Sequence, residues 1–252
     1  MQKGLTMSDR GTLQVYRDPA ALAQALAELF IATGNLAMAD RGSFRVALSG
    51  GNTPRSAYEL LGREPLVEQL SWSDVFIYFG DERCVPPSDE QSNYRMAQKA
   101  FLSSIPIPPA NVHRIAGEID PGHAANEYAS ILRADLGNAP VFDLMLLGLG
   151  ADGHTASLFP GAAPTIDDQA LVRAVYSESQ MMWRVTITPK VINLSRTVAF
   201  AVEGADKADA LEAVYEGPVD VIKYPAQIVH PSSGRLVWLV DELAGGILKT
   251  RR

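Results

Sequence analysis

Five short apolar runs punctuate the chain: "FRVAL" (Phe44 to Leu48), "DVFIYFG" (Asp74 to Gly80), "VFDLMLLGLG" (Val141 to Gly150), "TVAFAVEG" (Thr197 to Gly204) and "RLVWLVD" (Arg235 to Asp241). Nearly continuous apolar strands of this kind are covered on both faces. Between them lie segments with apolar residues at helical spacing: "PAALAQALAELFIATGNLAMA" from Pro19, "PRSAYELLG" from Pro54, "NYRMAQKAFL" from Asn93 and "ADKADALEAVYEG" from Ala205, with a last short helix after Asp241. Strands alternating with helices predict an α/β fold, an open and mostly parallel sheet with helices on both faces. "RVTITPKVINLS" from Arg184 alternates as a strand and then meets Pro189, which predicts a strand ending in a turn. No internal repeat, low-complexity linker or charge block interrupts the pattern. The expectation is one domain over residues 1–252, with residues 1–11 as a flexible N-terminus.

Composition narrows the picture. The 252 residues carry 47% hydrophobic and 20% charged side chains, ordinary for a soluble globular protein. A formal net charge of −7 argues against nucleic acid as a partner, because a phosphate backbone needs a basic footprint. A small anion held by a few local cations remains compatible with it. Cys84 is the only cysteine, so no intramolecular disulfide forms, and a lone thiol fits a reducing cytoplasm. The first residues do not read as a signal peptide, and no apolar run approaches the roughly 20 residues that span a bilayer. A soluble, cytoplasmic protein with no membrane partner is expected.

In an open parallel sheet, ligands sit outside the carboxyl ends of the strands. Three such ends carry chemistry. The first, "LSGGNTPRSAYELL", places Ser49, Gly50, Gly51 and Thr53 before a helix, where backbone N–H groups and the helix dipole suit a phosphate. An ordinary strand-to-helix turn, with Thr53 as N-cap and Pro54 at the first helical position, accounts for the same residues. The second end, "YFGDERCVPPSDEQSNYRMA", brings Asp81, Glu82 and Arg83 to the edge, either toward a ligand or into a salt-bridged loop. Cys84 beside them lacks a second thiol or metal-ligand spacing and does not read as a nucleophile.

The third end is "GLGADGHTASLFPG", with Asp152 and His154 flanking Gly153. Histidine moves protons near neutral pH, and a neighbouring carboxylate fixes its tautomer. A polar turn with no chemistry accounts for it equally well. Ser157 does not complete a hydrolase triad, since no G-x-S-x-G elbow is present. His113, His123 and His230 lie near prolines and read as solvent-facing or structural.

Taken together these segments, with "RVTITPKVINLSRTVAFAVEGADKADAL", "YPAQIV" and "WLVDELA", resemble the 6-phosphogluconolactonases and, through the first loop, the related glucosamine-6-phosphate deaminases. The resemblance implies a Rossmann-like, NagB/RpiA-like core and hydrolysis of 6-phosphogluconolactone in the pentose phosphate pathway. It implies His154 as the base acting on water and Asp152 as its helper, with no cofactor and no metal. It also implies phosphate binding by Ser49, Gly50, Gly51, Thr53, Arg184 and Lys207, with Asp81 and Arg83 in the pocket. The partner is then a small sugar-phosphate lactone, and the protein a monomer or small homo-oligomer. Two alternatives stand beside it, an aminosugar-phosphate deaminase and a non-catalytic sugar-phosphate sensor. Deaminases carry an acid soon after the histidine, and none occurs from Thr155 to Pro164.

Overall fold

All five apolar runs contribute strands to a single seven-stranded sheet in the computed structural model, which describes residues 3–8, 10–161 and 169–251. In chain order the elements are β1 (Lys3–Ser8), β2 (Gly11–Tyr16), α1 (Pro19–Arg41), β3 (Phe44–Leu48), α2 (Asn52–Leu61), β4 (Val75–Phe79), β5 (Asp81–Arg83) and α3 (Asn93–Ala97). There follow α4 (Pro121–Leu136), β6 (Leu144–Leu147), β7 (Val172–Ser177), β8 (Met182–Ile187), α5 (Pro189–Leu194), β9 (Thr197–Val202), α6 (Ala208–Tyr215) and β10 (Arg235–Asp241). The large sheet has the order β1-β2-β10-β9-β6-β3-β4, and every pairing is parallel except β1 with β2. The chain leaves β3 for β4 on one side and returns to β6 on the other. That reversal opens a crevice between the carboxyl ends of β3 and β6, where open α/β sheets bind ligands.

Burial explains the apolar runs. Val46, Ile77, Leu144, Val198, Phe200 and Val240 are almost wholly enclosed. Helix α1 starts cleanly because Asp18 accepts a hydrogen bond from the Ala21 amide at 2.8 Å and Pro19 needs no partner in the first turn. At 23 residues α1 is long and apolar enough to cross a bilayer by length and composition. This corrects the expectation that no apolar run reaches that size. Leu22, Leu26 and Phe30 on one of its faces are buried in the core.

Other departures have local causes. Pro189 opens the short helix α5 rather than a turn, a position where proline's fixed φ suits the first helical residue. Helix α4 and strands β1, β2, β5 and β7 were not evident in the sequence. The expected last helix is only a 3-10 turn, Lys249–Arg251. Strands β5, β8 and β7 form a second, antiparallel sheet in the order β5-β8-β7. Gly80 joins the two sheets: its amide donates to the Leu48 carbonyl at 2.9 Å, and its carbonyl accepts from the Ile187 amide at 2.9 Å. The small sheet is thereby fixed beside the carboxyl ends of β3 and β4.

Candidate active site

A cavity of 380 Å³ lies at the crevice, walled by the segments that follow β3, β6 and β9 and by the small sheet. The β3 side is Ser49 to Pro54. Tyr58, buried on α2, clamps its start: the Ser49 amide donates to the Tyr58 hydroxyl at 3.1 Å and that hydroxyl donates to the Ser49 carbonyl at 3.0 Å. Burial pushes the phenol far above its ordinary pKa, so it stays protonated. The N-cap of α2 is Gly51, with Thr53 and Pro54 at the second and third helical positions, so the helix starts two residues earlier than the sequence suggested. No side chain caps this helix. Gly50 is needed for close approach, since a Cβ there would stand 2.0 Å from Asn93 Oδ1.

The small sheet supplies two guanidinium groups. Its register pairs Arg83 with Arg184 and Asp81 with Thr186, so all four side chains share one face. Arg184 donates to Asp81 Oδ2 at 3.4 Å and to the Gln180 amide oxygen, and stacks over the Phe159 ring with 5.8 Å to its centroid. Burial lowers the Arg184 pKa, Asp81 opposes that shift, and the like charge of Arg83 adds to it. The Nε atoms of both arginines are buried with no hydrogen-bond partner among the described residues. Two cations held side by side with spare donors suit a doubly charged anion. Glu82 faces the other way. It accepts from the amides of Arg83, Asn93 and Tyr94 and from the Ser92 hydroxyl, which anchors α3. Burial nevertheless raises its pKa against these bonds.

The loop after β6 folds tightly on itself. The Gly150 amide donates to the His154 carbonyl at 2.8 Å, and the Thr155 hydroxyl to the Gly148 carbonyl at 2.8 Å. His154 Nδ1 lies 2.5 Å from Asp152 Oδ1. Asp152 also accepts from the His154 amide at 3.1 Å, and the bond to the ring holds the carboxyl below its ordinary pKa. With the Nδ1 proton committed to this carboxylate, Nε2 is the free basic atom. His154 lines the cavity, whereas Asp152 is not among its lining residues. The ring lies directly over Gly150, whose Cβ position is 2.1 Å from Nδ1.

The family model for glucosamine-6-phosphate isomerases/6-phosphogluconolactonase matches residues 17–238. This chain belongs to that family. A 6-phosphogluconolactonase of Synechocystis sp. is 42% identical over 84% of this chain and 88% of its own length. Another from Haemophilus influenzae is 37% identical over 81% and 87%. The solved 6-phosphogluconolactonase of Trypanosoma cruzi superposes with a TM-score of 0.84 at 28% identity, covering 97% of this chain and 99% of that one.

Of the residues that the resemblance implies, the fold brings Ser49, Gly50, Gly51, Thr53, Asp81, Arg83, His154, Arg184 and Lys207 to one cavity. Lys207 follows β9 at the N-cap of α6, where the helix dipole disfavours a cation, and its ammonium lies 3.1 Å from Asp206. Asn52, Gln180, Glu203 and Asp206 line the same cavity and went unrecognised in the sequence, as did the part played by Asn93 there. Gln180 lies in the turn between β7 and β8, in the polar run Ser177 to Gln180, which carries no motif. Cys84 is half-buried, and burial pushes its thiol up to about 11, unsuited to nucleophilic work. His113 stacks on Tyr78 at 4.6 Å between ring centroids and is structural.

Proposed function

We propose that this protein is a 6-phosphogluconolactonase that hydrolyses 6-phospho-D-glucono-1,5-lactone to 6-phosphogluconate without a cofactor. The observation that carries this reading is that the basic edge of a histidine–carboxylate pair and a cluster of cations open into the same 380 Å³ cavity. Family membership and lactonase relatives spanning most of the chain support it. The same relationship supports soluble, cytoplasmic action in the pentose phosphate pathway.

In the mechanism, Arg83, Arg184, Lys207 and the Ser49–Thr53 loop hold the phosphate. Binding this remote group fixes the lactone carbonyl near His154. His154 Nε2 takes a proton from water as its oxygen bonds to C1, giving a tetrahedral intermediate. Collapse breaks the bond from C1 to the ring oxygen, and the imidazolium returns the proton to that oxygen. Asp152 holds the Nδ1–H tautomer, so that Nε2 is the atom offered to water, and stabilises the imidazolium in between. General acid–base help of this kind contributes about 10²- to 10⁴-fold.

The test is ring opening of freshly prepared lactone by purified protein, measured above its spontaneous hydrolysis. Wild-type protein is expected to accelerate the reaction, and His154→Ala to lose about 10²-fold or more of kcat while still binding 6-phosphogluconate. A folded wild-type protein no faster than buffer overturns the assignment. Release of ammonia from glucosamine 6-phosphate would instead favour the deaminase reading.

A further inference from the structure

The structure assigns Ser157 as a positioning residue for phosphate recognition: its hydroxyl restrains the Asp81 carboxylate so that the Arg184 guanidinium stays presented to the cavity. Ser157 is 1% exposed, and no step of the mechanism uses it. Its hydroxyl donates to Asp81 Oδ2 at 2.7 Å and its amide donates to the Thr186 hydroxyl at 3.2 Å. The loop that carries His154 is thereby tied to both strands that carry the arginines. Ala156, immediately before it, has φ of 48°, in the left-handed region that favours glycine. The turn itself is closed by the Leu158 amide, which donates to the Thr155 carbonyl at 2.9 Å, so the Ser157 hydroxyl is left for Asp81.

The decisive geometry is at Asp81. Its Oδ1 accepts from Asn93 Nδ2 at 3.2 Å, and its Oδ2 receives both the Ser157 hydroxyl and Arg184 Nη1. The contact with Ser157 is short, whereas the contact with Arg184, at 3.4 Å, is well beyond the roughly 2.7–2.9 Å of a full charge-assisted bond. Asp81 and Arg184 are both almost enclosed, at 5% and 4% exposure, so an unrestrained pair would close on itself. A closed pair ties Nη1 to the protein and opposes the incoming anion. The Ser157 hydroxyl takes one of the two lone pairs of Oδ2 and fixes the orientation of the carboxylate, which leaves the guanidinium at 3.4 Å, near enough to remain charged and loose enough to bind phosphate.

The inference rests on the reading that this cavity binds a phosphorylated substrate. The experiment measures inorganic phosphate affinity by calorimetry, with kcat and KM on the phospholactone, for wild type, Ser157→Ala, Asp81→Asn and the double variant. Ser157→Ala is expected to weaken phosphate binding and raise KM about tenfold, the scale of one charge-assisted hydrogen bond, with kcat within a few-fold of wild type. In the Asp81→Asn background, where no carboxylate is left to restrain, adding Ser157→Ala is expected to change phosphate affinity little. Ser157→Thr, which keeps the hydroxyl, should restore affinity. A fall in kcat with unchanged KM and phosphate affinity would make Ser157 a scaffold for the loop and overturn the proposal. So would an equal loss of affinity in the Asp81→Asn background. If wild type neither binds phosphate nor opens the lactone, the functional reading itself fails, and this inference with it.

Discussion

At Gly150 one hydrogen atom separates a working site from a displaced one. The imidazole of His154 rests against the backbone there, and a Cβ would lie 2.1 Å from Nδ1 and 2.6 Å from Asp152 Oδ1. A methyl group must therefore move both members of the pair that orients the base. Displacing a reacting group by about 1 Å costs on the order of 10²-fold. Gly150→Ala is expected to lower kcat by about that factor and to leave phosphate affinity near wild type, because the arginines do not touch this residue. Steady-state kinetics with phosphate calorimetry checks it; equal losses in both would mean that the loop and the cradle are not independent. The glycine was visible in the sequence as a turn former, but its packing against the ring was not, because spacing alone carries no steric information.

Among the elements, the helices α2 and α4 fix where strands end. Tyr58 clamps Ser49 at the close of β3, and Tyr128 does the same for Phe79 at the close of β4, through bonds of 2.8 and 3.0 Å. Tyr58→Phe leaves the buried Ser49 amide and carbonyl without these partners, a loss of about 1–3 kcal/mol. In a chain of this length that lowers Tm by roughly 2–4 °C per kcal/mol. KM should rise alongside, since the same residues open the loop proposed to hold phosphate; a lower Tm with unchanged KM would separate the clamp from binding. A second element-level consequence concerns pH. His113 stacks on Tyr78 of β4 and lies 3.4 Å from Asp135 of α4, and burial lowers its pKa from 6.5 despite that carboxylate. The unfolded chain binds this proton more readily than the fold does. Stability is thus fully present above about pH 6.5 and declines as pH falls through the lowered value. Melting curves of wild type and His113→Phe should converge toward acid pH, the variant losing less. The parallel sheet was legible because five buried strands leave unbroken apolar runs. The small sheet was not. Its β5 is three polar residues, Asp81–Arg83, and pairs with Thr186 to Arg184, about a hundred residues further along the chain.

Across the whole molecule, the cavity is built by segments far apart in sequence: residues 49–54, 81–83, 148–156, 180–184 and 201–207. They belong to two sheets joined at Gly80, and the cations among them are exceptions in a chain of net charge −7. The sequence exposed most of these residues one at a time, but only folding puts Arg83 opposite Arg184 and both beside the β3 loop. In the proposed function a dianion seated there would relieve the repulsion between the guanidiniums and link the sheets, and so bind the folded state and not the unfolded chain. By mass action a ligand at 100 times its Kd adds about 2.7 kcal/mol of stability. At roughly 2–4 °C per kcal/mol, 6-phosphogluconate at that level should raise Tm by about 5–10 °C. Gluconate, which has the same chain of hydroxyls and no phosphate, should give a much smaller shift at equal concentration. Arg184→Ala should lose most of the 6-phosphogluconate shift while keeping its own unliganded fold. Differential scanning calorimetry distinguishes these outcomes, and equal shifts from gluconate and 6-phosphogluconate would remove the arginine pair from the binding account.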